Sequence, residues 1–97
     1  MAGFFLSGKA KADVKEIGRY TQQRWGVEQR NRYLGELDAC FQKIGANLTL
    51  GNSAEAIRAG YRRVRAGSHV VFFRKAGNEV EIVRVLHERM LPGKHLP

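Results

Sequence analysis

"RAGYRRVRAGSHVVFFRK", Arg58 to Lys75, is the stretch on which the fold turns. It carries six lysines and arginines and no carboxylate, yet it encloses the unbroken apolar run Val70-Val71-Phe72-Phe73. A surface arm would lack the apolar run, and an ordinary buried strand would be less basic. Its β-branched and aromatic residues are interrupted by "AGS", which reads as a turn. The pattern predicts strands over Tyr61–Arg65 and His69–Lys75. Beyond a second break, "AGN", the segment "EVEIVRVLH" predicts a third over Glu79–His87. Three short runs separated by two turns make an antiparallel meander.

Upstream the period changes. Ala10, Val14, Ile17, Thr21 and Trp25 recur at steps of four, three, four and four, which puts them on one helical stripe. Ser7 suits the N-cap of that helix, and Gly26 its end. A second helix is expected from Glu28 to Asn47, with Tyr33, Leu34, Leu37, Phe41, Ile44 and Leu48 at helical spacing. The join Trp25-Gly26-Val27 is short enough to make the two helices antiparallel neighbours. Gly3 to Leu6 reads as a short strand, "TLGNSAEAIRAG" as a loop with at most a turn of helix, and "MLPGKHLP" as an irregular tail over about 90–97. The expected fold is therefore α+β in one domain over 1–97: an N-terminal strand, a helical hairpin, and a mainly antiparallel sheet with helices on one face.

The strands are apolar on both faces. By simple alternation Val71 and Phe73 oppose Val70 and Phe72, while Val80 and Ile82 oppose Val83 and Val85. One helical layer covers only one face. The other is expected to be closed by loops and the tail, or left for a partner, since an apolar patch bordered by charge usually marks an interaction site.

Composition narrows the function classes. The net charge is +8 over 97 residues, with pI near 10.3, which favours an anionic partner. The single cysteine, Cys40, excludes an intrachain disulfide and suits a reducing compartment. His69, His87 and His95 are too scattered for a structural zinc site, so no metal or cofactor is expected. No apolar run approaches the roughly 20 residues of a membrane span, and a cytoplasmic location without membrane contact is expected.

No phosphate-binding glycine loop or nucleophile elbow is present. Cys40 falls on the periodic face of the second helix and reads as a core-edge residue. Glu36/Asp38 and Glu79/Glu81 read as solvated. One constellation remains: Arg62, Arg63, Arg65, Arg74, Arg84, His87 and Arg89 come from adjacent strands. RNA cleavage would need a proton carrier, for which His87 is the candidate, and a cation for the phosphorane, Arg65 or Arg84. Phe72, Phe73 and Tyr61 among the arginines allow a third reading, a nucleic-acid-binding sheet.

Three blocks carry a family resemblance. "LSGKAKADVKEIGRYTQQRWG", "IRAGYRRVRAGSHVVFFR" and "VEIVRVLHERM" resemble the opening, middle and ending of ParE-type toxins of the RelE/ParE superfamily, in order and at the family's spacing, from about Leu6 to Met90. Two positions depart: "NLTLG" at Asn47–Gly51 lacks the relatives' proline, and Leu91 stands where many carry an acid. The resemblance implies the toxin half of a type II toxin–antitoxin module, a non-enzymatic inhibitor of DNA gyrase or a related topoisomerase, neutralised by a ParD-like antitoxin. DNA would then be met only through the target complex. It puts Arg84, His87, Arg89 and Met90 on the toxic surface. The antitoxin is expected on Arg62, Arg65, Val71, Phe73 and Arg74, its acidic tail pairing with the arginines. The ribonucleases of the RelE branch keep His87 as the alternative.

Overall fold

The computed structural model describes residues 3–97. A short strand β1 (Phe4–Leu6) leads into a hairpin of helices α1 (Gly8–Trp25) and α2 (Val27–Ala46). Then come β2 (Asn52–Ser53), β3 (Arg62–Ala66), β4 (His69–Ala76) and β5 (Glu79–His87), and a 3-10 turn, Pro92–Lys94, in the tail. The strands form one sheet in the order β1-β5-β4-β3-β2, antiparallel except where β1 runs parallel to β5. The expected α+β architecture is present. The two-residue β2 is additional: "NS" has no strand composition, and it is extended only because it pairs with Arg62 and Arg63. Among the described residues no helix is long and apolar enough to cross a membrane.

Ser7 explains how β1 and α1 meet. Its hydroxyl accepts from Ala10 N at 3.0 Å, capping the helix, and donates to Val83 O at 2.7 Å. Its own amide donates to Ile82 O at 2.9 Å. One residue thus ends β1, starts α1 and fixes both to the sheet. α1 and α2 then bury Ala10, Ile17, Leu37, Phe41 and Ile44 against Val71, Phe73, Val80, Ile82 and Val85. Each such large aliphatic or aromatic side chain contributes about 1.5–3 kcal/mol by leaving water.

β5 contains one residue too many for regular pairing. Phe72 lies opposite Arg84 and Phe73 opposite Ile82, so Val83 has no partner on β4. This bulge reverses the alternation of side chains halfway along the strand. Val85 therefore joins Val80 and Ile82 under the helices, where simple alternation placed it on the far face with Val83. The far face receives Val83 and Leu86.

That far face is not bare. Phe72, Val83 and Leu86 form a second core with Ala54, Tyr61 and Leu96, flanked by Ile57 and Val70. The cover comes from the 54–61 loop and from the last residues of the chain. The tail is pinned where Arg58 donates to Gly93 O at 3.0 Å and Arg84 to His95 O at 3.0 Å. Of the two expectations for this face, closure by the chain itself is the one realised. The tail is ordered by its own turn and by burial of Leu96. Within this second core the Tyr61 hydroxyl is buried without a hydrogen-bond partner among the described residues.

Candidate functional site

The far end of α1 stands beside the residues that follow β5. There Tyr20 and Trp25 stay 56% and 61% exposed. The periodicity expects Trp25 on the buried stripe; it continues that stripe but is exposed and lines the groove instead. Its ring meets Tyr20 edge-on at 6.2 Å and carries Arg24 over one face at 5.5 Å. Across from this aromatic pair stand His69, His87 and Met90. Together these side chains border a groove of about 580 Å³ whose floor holds Ile17, Thr21, Tyr33 and Val85.

Tyr33 organises the floor. Gly67, at φ 60°, brings the β3–β4 turn so close that an added Cβ would lie 2.6 Å from the Tyr33 ring. The Tyr33 oxygen accepts from Ser68 N at 3.1 Å and stands 2.6 Å from His69 Nδ1. Burial, reinforced by the neighbouring His87, holds His69 below the ordinary histidine pKa, while Asp13 and Glu88 oppose this more weakly. The Tyr33 hydroxyl can donate to Ala66 O at 3.2 Å, or to His69 Nδ1 when that nitrogen carries no proton. The His69 and His87 rings meet edge to face at 5.4 Å, and His87 Nδ1 accepts from Arg89 N at 3.2 Å.

Asp13 closes one end. Its carboxylate takes both Arg84 N–H groups at 2.8 Å and the Val85 amide at 2.9 Å. The bulge makes this possible, because β1 has ended and nothing else continues the pairing of β5 along that edge. With both side chains 14% exposed, the ion pair is largely buried and keeps Arg84 charged. Arg84 therefore ties α1, β5 and the tail together.

The residues singled out by sequence divide accordingly. His87 and Met90 line the groove, whereas Arg89, between them in sequence, does not and meets the site only through its amide bond to His87 Nδ1. Arg84, expected on the toxic surface, is a buried clip. Val71 and Phe73, expected to contact an antitoxin, are 0% and 1% exposed in the helix-side core. Simple alternation could not say which strand face the helices take. Arg62 donates to Thr49, Leu50 and Gly51 carbonyls, and so holds the loop before β2. Arg65 binds Glu88 at 2.9 Å and the Gly67 carbonyl. Arg74 binds Glu81 at 2.8 Å and lies over Tyr61 at 5.6 Å. The basic border is thus mostly engaged within the chain, and Glu81 is an ion-pair partner rather than a solvated acid. Cys40 is half-buried at the core edge, and burial pushes its thiol up, away from the thiolate a nucleophile needs.

Sequence reasoning missed Asp13, Tyr20, Tyr33 and His69. Only Tyr33 left a trace, an apolar-face residue with a polar tip. No group of three or more His, Cys, Asp or Glu side chains among the described residues is arranged to hold a metal ion.

A model of the family described as "ParE toxin of type II toxin-antitoxin system, parDE" matches residues 4–92. The chain is 49% identical to "Toxin ParE1" of Caulobacter vibrioides over 96 residues, covering 99% of each. It is 43% identical to "Toxin ParE1" of Mycobacterium tuberculosis over 94 residues, 96% of each, and 32% identical to "Toxin ParE" of Escherichia coli over 91 residues, 93% and 88%. A solved chain of the "Chromosomal ParDE TA system from P. aeruginosa" superposes with a TM-score of 0.79 at 22% identity, covering 90% of this chain and 96% of that one.

Proposed function

The chain belongs to the ParE toxin family, and from that premise we propose that it inhibits DNA gyrase by protein–protein contact and is neutralised by a ParD-like antitoxin that occupies the groove. The observation that carries this reading is the groove's rim. Tyr20, Trp25 and Met90 are large apolar side chains left 56%, 61% and 37% exposed around a concave site. Aromatic residues and methionine with exposed area of this kind are the usual anchors of a protein interface. His87, Arg89 and Met90 form the side offered to the target. An antitoxin lying across Trp25 and Met90 covers the same residues and so blocks the target directly.

The ribonuclease reading is weaker on chemical grounds. Phosphorane stabilisation requires a cation free to meet new negative charge. Arg84 is held by Asp13 in a largely buried pair, and Arg65 is engaged by Glu88 in a more exposed one. Both cations expected to serve His87 in that role are already paired, which leaves Arg89, whose amide donates to His87 Nδ1, as the cation this reading would have to use.

Purified protein should inhibit gyrase supercoiling and leave messenger RNA intact on ribosomes. A ParD-like peptide should relieve the inhibition and shift the fluorescence of Trp25, the one tryptophan of the chain. His87→Ala serves as the control. Cleavage of RNA that disappears in this variant, with gyrase unaffected by the wild type, would replace the proposal with the nuclease.

A further inference from the structure

The opposite side of the helical hairpin carries a charge pattern that α1 does not need for itself. Lys11, Lys15 and Arg19 stand at i, i+4 and i+8 on its exposed face, about 6 Å apart along the axis. Like charges at this spacing repel. The first turn contains Lys9 and Lys11 and no acid, although the amino end of a helix favours anions. Glu16 meets Arg19 only at 3.6 Å with both side chains exposed, which leaves the cation available. Arg62, Arg65, Arg74 and Arg84 are held by intramolecular bonds, whereas Lys11, Lys15 and Arg19 form an exposed row along a single helix face.

Beside the stripe runs a furrow between α1 and α2, of about 500 Å³. It opens where Gly18 admits Leu34, whose Cδ1 would stand 3.3 Å from an added Cβ. Its polar lining is Lys15, Arg19, Arg30, Gln22, Gln23 and Asn31, with no carboxylate. Arg30 bonds only to the side-chain amides of Gln22 and Asn31 and keeps its full charge. Lysine, arginine and amide side chains are the set that contacts phosphate oxygens. The furrow has no aromatic ring on which a single-stranded base could stack, and no exposed apolar anchor for a peptide.

We propose that this face, Lys11, Lys15 and Arg19 with the Arg30 side of the furrow, binds the sugar–phosphate backbone of duplex DNA. The choice of DNA over RNA rests on the gyrase reading above, since the substrate of that target is duplex DNA. The hairpin then meets two partners at once: protein in the groove and DNA behind it.

The test compares the wild type with K11Q/K15Q/R19Q for binding to a duplex oligonucleotide by fluorescence anisotropy across salt concentrations. Because the variant removes mutual repulsion and an unfavourable first-turn charge, its Tm should equal or exceed that of the wild type. Duplex affinity at low salt should fall about tenfold or more, and the slope of log K against log salt should lessen by about 2–3, the loss of three phosphate contacts. Duplex RNA should bind the wild type less tightly. Unchanged duplex affinity in the variant overturns the proposal, as does RNA binding that equals or exceeds DNA binding. Loss of ParD-like peptide binding with duplex affinity retained overturns it too, making the face a protein dock. Gyrase supercoiling, assayed in parallel, separates the two readings. A wild type that binds the duplex through these residues but leaves gyrase active defeats the gyrase reading alone. A variant that inhibits gyrase fully and binds duplex unchanged defeats this one alone.

Discussion

On the helix side of the sheet, Val71, Phe73, Val80, Ile82 and Val85 lie under two helices; on the other side, Phe72, Val83 and Leu86 lie under a loop and the end of the chain. Neighbouring residues on the same strands thus face covers of very different kinds. The helical cover brings its own regular apolar stripe and its own backbone hydrogen bonds. The irregular cover supplies Leu96, Ala54 and Tyr61, and is fastened by single bonds from Arg58 and Arg84. Apolar strand residues therefore announce that they will be covered, without saying by what.

The sharpest way to break this contrast is to make the same cavity on both sides. Phe73→Ala should cost about 3–5 kcal/mol, because two packed helices cannot settle into the gap. Phe72→Ala should cost less, about 3 kcal/mol at the low end of that range, since the tail can collapse inward. Urea denaturation measures both, and equal losses would show the two covers to be equally rigid. Asp13→Ala comes next. It strands the Arg84 guanidinium and the Val85 amide together, and should cost about 3 kcal/mol. Arg84→Met, which removes the charge that Asp13 leaves behind, should recover part of that loss in the double variant. Additive losses would mean that the pair is not a unit. Leu96→Ala tests the tail alone. A loss of about 2 kcal/mol is expected, near the low end for a buried leucine. It should come with easier proteolysis after Met90, while the groove-side fluorescence of Trp25 stays as it was.

The pH dependence should be the smallest effect. His69 is held below its ordinary value of 6.5 by burial first and His87 second, so the unfolded chain takes up its proton at higher pH than the folded one. Stability is therefore complete above the ordinary histidine value and declines as pH falls from there toward the lower folded value. His69→Asn should flatten this part of the thermal-melting profile. A profile unchanged by the substitution would assign the titration elsewhere.

Much of the fold was legible because it depends on local signals. Ser7 as a cap, Gly26 as a stop, the helical spacing from Ala10 to Leu48 and the "AGS" and "AGN" turns each act within a few residues. The failures are non-local. β2 exists only through pairing with β3. Val85 changed face because of a bulge that nothing in "EVEIVRVLH" announces. The site was less legible than the fold for the same reason. Arg62, Arg65, Arg74 and Arg84 look alike in sequence, and what separates them from Lys11 and Lys15 is the presence of an acceptor brought from elsewhere in the chain. Asp13 and Arg84 are 71 residues apart, and no spacing rule joins them.

Val83 is the surplus residue of β5, and the sheet puts the surplus to use. A β5 shortened by that residue would pair more regularly with β4 and look improved by every local measure. It would leave Val85 opposite Val71 under the helices and Leu86 opposite Val70 on the far face, but it would take Val83 out of the second core. The irregularity is how a strand of this small domain offers one more apolar side chain to its thinner core than regular pairing would allow.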